Sequence, residues 1–259
     1  MTIKVRSNGQ SLDDYVREAA IFRSKANDLA EIEPGYYTPD SNNGYPPDDI
    51  ILNGLVFYAP LWQSKGSKFK SIDPYHHTCT VTGATWGSQG RTFNGTTNRI
   101  QTGASSLLSS PTSLSICHWI YPTNTADNKA SLSHRSAGGD NWDWYYALSS
   151  ATTFGFRYWT SGAVFKDCSS AYTIPTTSFS FCVTTFDGTN ARHYFNTVLV
   201  ATVNQPGAIN TSSQALTIGD DGFGTAYMGG RIGEAIIYNR VLSIAEIQHN
   251  NLATRWRYK

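Results

Sequence analysis

From Leu52 onward, apolar residues recur with a period of two. Leu55, Phe57, Ala59 and Leu61 alternate with Val56, Tyr58 and Pro60. Successive side chains of a strand point to opposite faces. The run Ser113 to Tyr121 therefore places Ile116, His118 and Ile120 on one face and Cys117, Trp119 and Tyr121 on the other. Phe181–Phe186, Arg192–Val200, Leu216–Gly219 and Gly230–Arg240 read as further β runs, and Asp187-Gly188-Thr189-Asn190 as a hairpin turn. Turn signals recur at Gly87, Gly95, Gly138–Gly139, Gly188 and Gly222. This pattern predicts an all-β sandwich of two antiparallel sheets. One short helix is expected at the end, over Leu242–Ile247, because Ser243 and Glu246 form a capping box.

Residues 1–51 follow a different period. Ser11-Leu12-Asp13-Asp14 resembles a capped helix start, and Glu33-Pro34-Gly35 would stop that helix after about Ile32. Its apolar residues Leu12, Tyr15, Ala19, Phe22, Ala26 and Leu29 are spaced alternately by three and four, the spacing of a single packing seam. The seam is short for an autonomous coiled coil. Docking on the chain's own domain and self-association, or attachment to a particle shell, both stay open. Tyr36 to Asp49 is rich in Pro, Asn, Asp and Gly and reads as a linker or extended arm, with Tyr36, Tyr37 and Tyr45 as candidate anchors.

Composition narrows the class. The 259 residues are 40% hydrophobic, enough for a substantial core, and only 15% charged. A net charge of +1 leaves no basic stripe for nucleic acid. No apolar run approaches the roughly 20 residues of a membrane span. The segment Met1–Arg6 lacks the apolar core of a signal peptide. The expected location is a virion or extracellular surface, reached after removal of a signal or by release on lysis. Cys79, Cys117, Cys168 and Cys182 form no CxxC pair, which argues against zinc. Buried thiols and one disulfide both stay open.

Several segments together resemble the laminin-G-like, concanavalin A-like jelly-roll family from about residue 52 to 258. They are Gly54–Leu61, Asp73-Pro74-Tyr75-His76-His77, Val81–Trp86, Arg91–Thr96, Ser115–Pro122 and the closing run from Phe181 to Ile247. Asn94 stands where the family's turn usually carries Asp, and Phe179 where it often carries Trp. Asn196-Thr197 replaces the usual Asn-Gly, and a β-branched residue suits positive φ poorly, so a longer or differently shaped turn is expected. The resemblance implies a jelly roll over 52–259 behind an arm over 1–51. It also implies a place among glycan-binding and surface-display domains, a superfamily in which calcium is common.

The candidate chemistry is binding rather than catalysis. A retaining glycosidase needs two carboxylates about 5–5.5 Å apart, which on a strand means an alternating E-x-D-x-E. None occurs, so no catalytic residue is assigned and glycoside hydrolysis is a minor alternative. Glu234 is the only glutamate in an expected strand, and a structural bond to a neighbouring strand or loop is its expected role. No Gly-x-Ser-x-Gly elbow is present, and no histidine pairs with a candidate Ser or Cys.

Sugars stack their C–H faces on aromatic rings while amides and carboxylates bond the hydroxyls. Asp140, Trp142, Asp143 and Trp144, with Tyr158 and Trp159 in the next β run, are the candidate glycan contacts. The competing reading puts Trp144 and Tyr146 in the core. Calcium candidates are Asp220-Asp221-Gly222 and Asp140/Asp143. No other cofactor is implied. The expected function is a non-enzymatic exterior adhesion or decoration module that binds glycan, with a purely structural virion or filament protein as alternative.

The seam generates one test. Replacing Phe22 and Leu29 with Asp should leave the β signal in circular dichroism intact while abolishing oligomers or particle attachment. Loss of the β signal would mean that the helix belongs to the domain core.

Overall fold

The structure, a computed structural model, describes residues 36–37, 50–109, 112–123, 129–135, 142–149 and 153–259; for Tyr36, Tyr37, Trp142, Ser149 and Phe154 it describes the backbone alone. The seam from Leu12 to Leu29 lies outside the described residues.

In chain order the strands are β1 (Tyr36–Tyr37), β2 (Leu55–Pro60), β3 (Lys68–Lys70), β4 (Thr78–Thr82), β5 (Thr85–Gly87) and β6 (Gly90–Asn94). Next come β7 (Arg99–Ala104), β8 (Leu114–Pro122), β9 (Lys129–Arg135), β10 (Trp142–Ser149), β11 (Thr153–Trp159) and β12 (Phe165–Thr173). The last five are β13 (Ser180–Phe186), β14 (Asn190–Phe195), β15 (Val198–Asn204), β16 (Ala215–Ile218) and β17 (Gly229–Tyr238), followed by helix α1 (Ile244–Thr254).

They pair into two sheets, one in the order β1-β3-β4-β7-β16-β9-β10-β11-β12 and one in the order β15-β14-β13-β8-β17-β6-β5, with β2 also on β17. Every pairing is antiparallel except β1 with β3. This is the expected jelly-roll sandwich. Tyr36 and Tyr37, two of the candidate anchors of the arm, pair with Lys68 and Phe69; residues 38–49 lie outside the described residues. The free N–H and C=O groups of an edge strand template such an addition.

The alternation read from β8 is the alternation found. Ile116 and Ile120 enter the core between the sheets, whereas Cys117 and Trp119 join an outer cluster with Phe181, Ile247 and Tyr258. The capping box is present, with Ser243 and Glu246 bonded reciprocally, and α1 runs further than its expected end. All four cysteines are buried free thiols. Cys117 and Cys182 lie in separate clusters on opposite faces of one sheet, so they cannot bridge. Burial pushes both thiols up, leaving them as inert small hydrophobes.

The run Arg192–Val200 proves to be two strands, β14 and β15, joined by a two-residue turn. Asn196 and Thr197 take φ of 46° and 73°, so the turn is neither longer nor of another shape than the usual hairpin. Asn196 holds it in place: its backbone N–H donates to Phe181 O at 2.9 Å and its Oδ1 accepts from Phe181 N at 3.0 Å.

Polar latches cross the core. His118 Nε2 of β8 meets Ser131 Oγ of β9 at 3.2 Å. His193 Nε2 donates to Cys168 O at 2.7 Å, so its Nδ1, 2.7 Å from Thr184 Oγ1, accepts from that hydroxyl. Burial lowers His118 to about 3 and His193 to about 4, from an ordinary 6.5.

Both rings are therefore neutral in the fold and bind protons more readily when unfolded. Their contribution is complete above pH 6.5 and is lost as pH falls toward 4 and then 3, at about 1.4 kcal/mol per pH unit per histidine. Asp220 is pushed up to about 6 by burial and by Asp221, and acts in the opposite sense as pH falls through 6. Two histidines against one carboxyl leave a net loss. The urea midpoint should stay flat above pH 7 and fall between pH 6.5 and 4. A midpoint that rises on acidification would contradict the neutral-histidine assignment.

Candidate functional site

Two of the exposed aromatic rings, both tryptophans, lie at one edge of the eight-stranded sheet, while Tyr75 and Phe165 are exposed elsewhere. This edge is built from the loop after β2, the strand β5 and the segment after α1. Trp256 is 59% exposed and Trp86 42%. Trp62 lies between them and is half-buried.

A buried carboxylate organises this surface. Glu234 on β17 is fully enclosed, and its Oε1 accepts from Trp62 Nε1 at 3.0 Å, Arg257 Nη1 at 2.7 Å and Tyr258 OH at 3.2 Å. The Arg257 guanidinium carbon sits 3.8 Å from the Trp62 ring centre and 4.2 Å from that of Trp256. The two indoles meet edge to face, with centroids 6.3 Å apart. Glycine at 233 is required here, because a Cβ would run into the Tyr258 ring. Tyr258 in turn stacks on Trp119 at 4.5 Å.

The loop carrying Trp62 is held from its other side. The buried Arg91 guanidinium donates to three carbonyls, Ala84 O at 2.9 Å, Gly66 O at 2.7 Å and Ser64 O. Trp86 Nε1 donates to Trp62 O at 2.7 Å, which sets its ring, and Lys65 Nζ stands 4.5 Å from the Trp86 ring centre. The result is a cluster of indoles with a cation over a face of each ring.

Of the residues singled out from sequence, those whose side chains are described lie elsewhere. Asp140 falls outside the described residues, and Trp142 opens β10 with its side chain undescribed. Asp143, Trp144 and Tyr158 are fully buried, which corrects their assignment as glycan contacts. The Asp143 Oδ2 receives Ser109 Oγ, His134 Nδ1 at 2.8 Å and Ser212 N at 3.1 Å. Trp144 packs in the inter-sheet core, and Tyr158 OH donates to Gln205 O at 2.6 Å. Trp144 does pair with Tyr158 in register, so the two runs come together as expected, but with these rings turned inward.

Trp159 points to the outer face, where it stacks on Tyr145 beside Arg135 and is 7% exposed. Asp221, a calcium candidate, has its carboxylate engaged by Arg135 Nη2, Phe223 N, Thr225 N and Thr225 Oγ1. Protein donors thus occupy the positions a cation would need. Asp220 faces Arg99 Nη1 at 3.6 Å.

Sequence reading missed Trp62, Trp256, Lys65 and Arg257. Trp86 entered it only as part of a family motif. Scattered along the chain, these residues carry no shared period.

A family model described as the concanavalin A-like lectin/glucanases superfamily matches residues 94–248, more than half of the chain, and the chain belongs to that family. No curated protein matches the chain significantly. Among solved structures, the binding domain of Paraclostridial Mosquitocidal Protein 1 is similar at a TM-score of 0.59 and 14% identity, over 75% of this chain and 51% of that one. The botulinum neurotoxin serotype D ligand-binding domain in complex with N-acetylneuraminic acid is similar at 0.59 and 11%, over 76% and 50%. Trypanosoma rangeli sialidase in complex with 2,3-difluorosialic acid is similar at 0.59 and 14%, over 93% and 39%. The chain spans about half the length of the toxin domains it resembles, and these likenesses concern the fold.

Removing one partner of a buried ion pair strands the other charge. Glu234→Ala should therefore lower unfolding stability by about 3–5 kcal/mol, and a Glu234→Leu/Arg257→Met double variant should recover much of it. A neutral Glu234→Ala, read by urea denaturation, would show that the pair does not organise the edge.

Proposed function

We propose that the chain is a non-enzymatic glycan-binding module of an exterior surface, with the sugar stacked on Trp86 and Trp256. The observation carrying this reading is a pair of exposed indoles set against the half-buried Trp62, Trp86 by its hydrogen bond to the Trp62 carbonyl and Trp256 by packing on Trp62 and Arg257. Ring orientation set before binding spares the entropy of ordering a loop. The likeness to folds solved with N-acetylneuraminic acid and with 2,3-difluorosialic acid supports sugar as the ligand class. Glu234 is enclosed and bonded to three donors, which suits a structural carboxylate rather than a general acid exchanging protons with substrate.

Display on a virus particle or similar assembly through residues 1–51 belongs to the same proposal, motivated by the seam from Leu12 to Leu29. Among the described residues no helix is long and apolar enough to cross a membrane. Asp140 and Trp142 stay as a second candidate contact, outside the described side chains.

A glycan array followed by affinity measurement tests the reading. Trp86→Ala and Trp256→Ala should each cost about 1–2 kcal/mol of affinity, roughly 5- to 30-fold, with the melting temperature nearly unchanged. β-Glucans and galactans should remain uncut. Binding that survives both substitutions and disappears in Trp142→Ala would move the site to β10. Cleavage that vanishes in Glu234→Gln would overturn the non-enzymatic reading, and an array with no binding would favour a purely structural protein.

A further inference from the structure

The chain as a whole is almost balanced, with 20 basic and 19 acidic residues. The tryptophan edge is not. Its three segments, Trp62–Gly66, Trp86–Arg91 and Arg255–Lys259, contain Lys65, Arg91, Arg255, Arg257 and Lys259 and no Asp or Glu. β17 adds one carboxylate, Glu234, but it is enclosed and ion-paired with Arg257.

Two of the five cations serve the fold: Arg257 pairs with Glu234, and Arg91 ties three backbone carbonyls. Lys65, Arg255 and Lys259 are exposed. Lys65 is the best placed of these. Its ammonium already lies over one face of an exposed indole, 4.5 Å from the ring centre, which leaves the other face of Trp86 for a sugar. It lies on a loop fixed by Arg91 and by the hydrogen bonds of Gln63 N and Ser64 N to Pro60 O.

Resting on the glycan-binding reading, we propose that the sugar recognised here is anionic. Its ring stacks on Trp86 or Trp256, and its carboxylate or sulfate pairs with Lys65, with Arg255 adding to the field. A neutral sugar would use the indoles and leave the cations solvated. An anionic one uses both, and the absence of exposed acids in these segments removes the repulsion that would otherwise oppose it.

The test compares one immobilised disaccharide in three forms: neutral, capped with a carboxylated sugar, and sulfated. The full chain should bind a charged form more tightly than the neutral form, and the two charged arms identify which anion is read. Lys65→Gln with Arg255→Gln should lower affinity for the charged form about five- to tenfold and leave the neutral form within about twofold, because exposed charge pairs each contribute modestly. Lys65→Arg should retain the preference. Raising salt from about 50 to about 500 mM should erase it. Equal binding of neutral and charged forms, unaffected by Lys65→Gln/Arg255→Gln, would overturn the anionic assignment while leaving the glycan reading standing. Binding of none of the three would sink both.

Discussion

A carboxylate removed from water must be met by donors, and at the tryptophan edge that requirement fixes the geometry. Glu234 sits inside the packing of β17, and the groups that reach it come from three places: Trp62 after β2, Arg257 after α1, and Tyr258 beyond it. Each donor brings a neighbour along. Trp62 offers its carbonyl to Trp86, Arg257 spaces the rings of Trp62 and Trp256, and Tyr258 lies on Trp119. Burying one charge thereby orders several aromatic faces. A buried pair of this kind contributes little net stability compared with apolar packing, so its consequence here is orientation.

The sandwich supplies the rigid support. Its two sheets close over a large apolar cluster, and the eight-stranded sheet has a second cluster on its outer face under α1 and Tyr258. Two buried histidines bond across the sheets, His118 to Ser131 and His193 to the Cys168 carbonyl, and Thr184 meets His193 within its own sheet. Neutral imidazoles serve there because each ring offers one donor and one acceptor without bringing a charge into the core.

The fold was largely legible in the sequence and the site much less so. Period-two alternation in β8, the Ser243–Glu246 capping box and the Asp187-Gly188 turn are local signals, each set by neighbours in the chain. The Asn196-Thr197 turn went against its local preference: strand pairing and the bonds of Asn196 to Phe181 hold Thr197 at a φ it disfavours alone. Trp144 and Tyr158 were misplaced because a strand's pattern gives two faces without saying which is inner. β10 and β11 are interior strands of the larger sheet, and the alternate ring of each pair turned outward, as Tyr145 and Trp159. The edge formed by Trp62, Trp86 and Trp256 joins segments far apart in sequence through a single glutamate. No local pattern announces such a meeting.

The most direct measurement is the indole N–H region of a ¹⁵N-resolved NMR spectrum during titration with an array-selected glycan. The chain has seven tryptophans, so each indole can be followed separately. Glycan binding at the tryptophan edge predicts shifts at Trp86 and Trp256, a smaller one at Trp62, and none at the buried Trp119, Trp144 and Trp159. Shifts confined to Trp142, or unchanged indoles under saturating glycan, would contradict it.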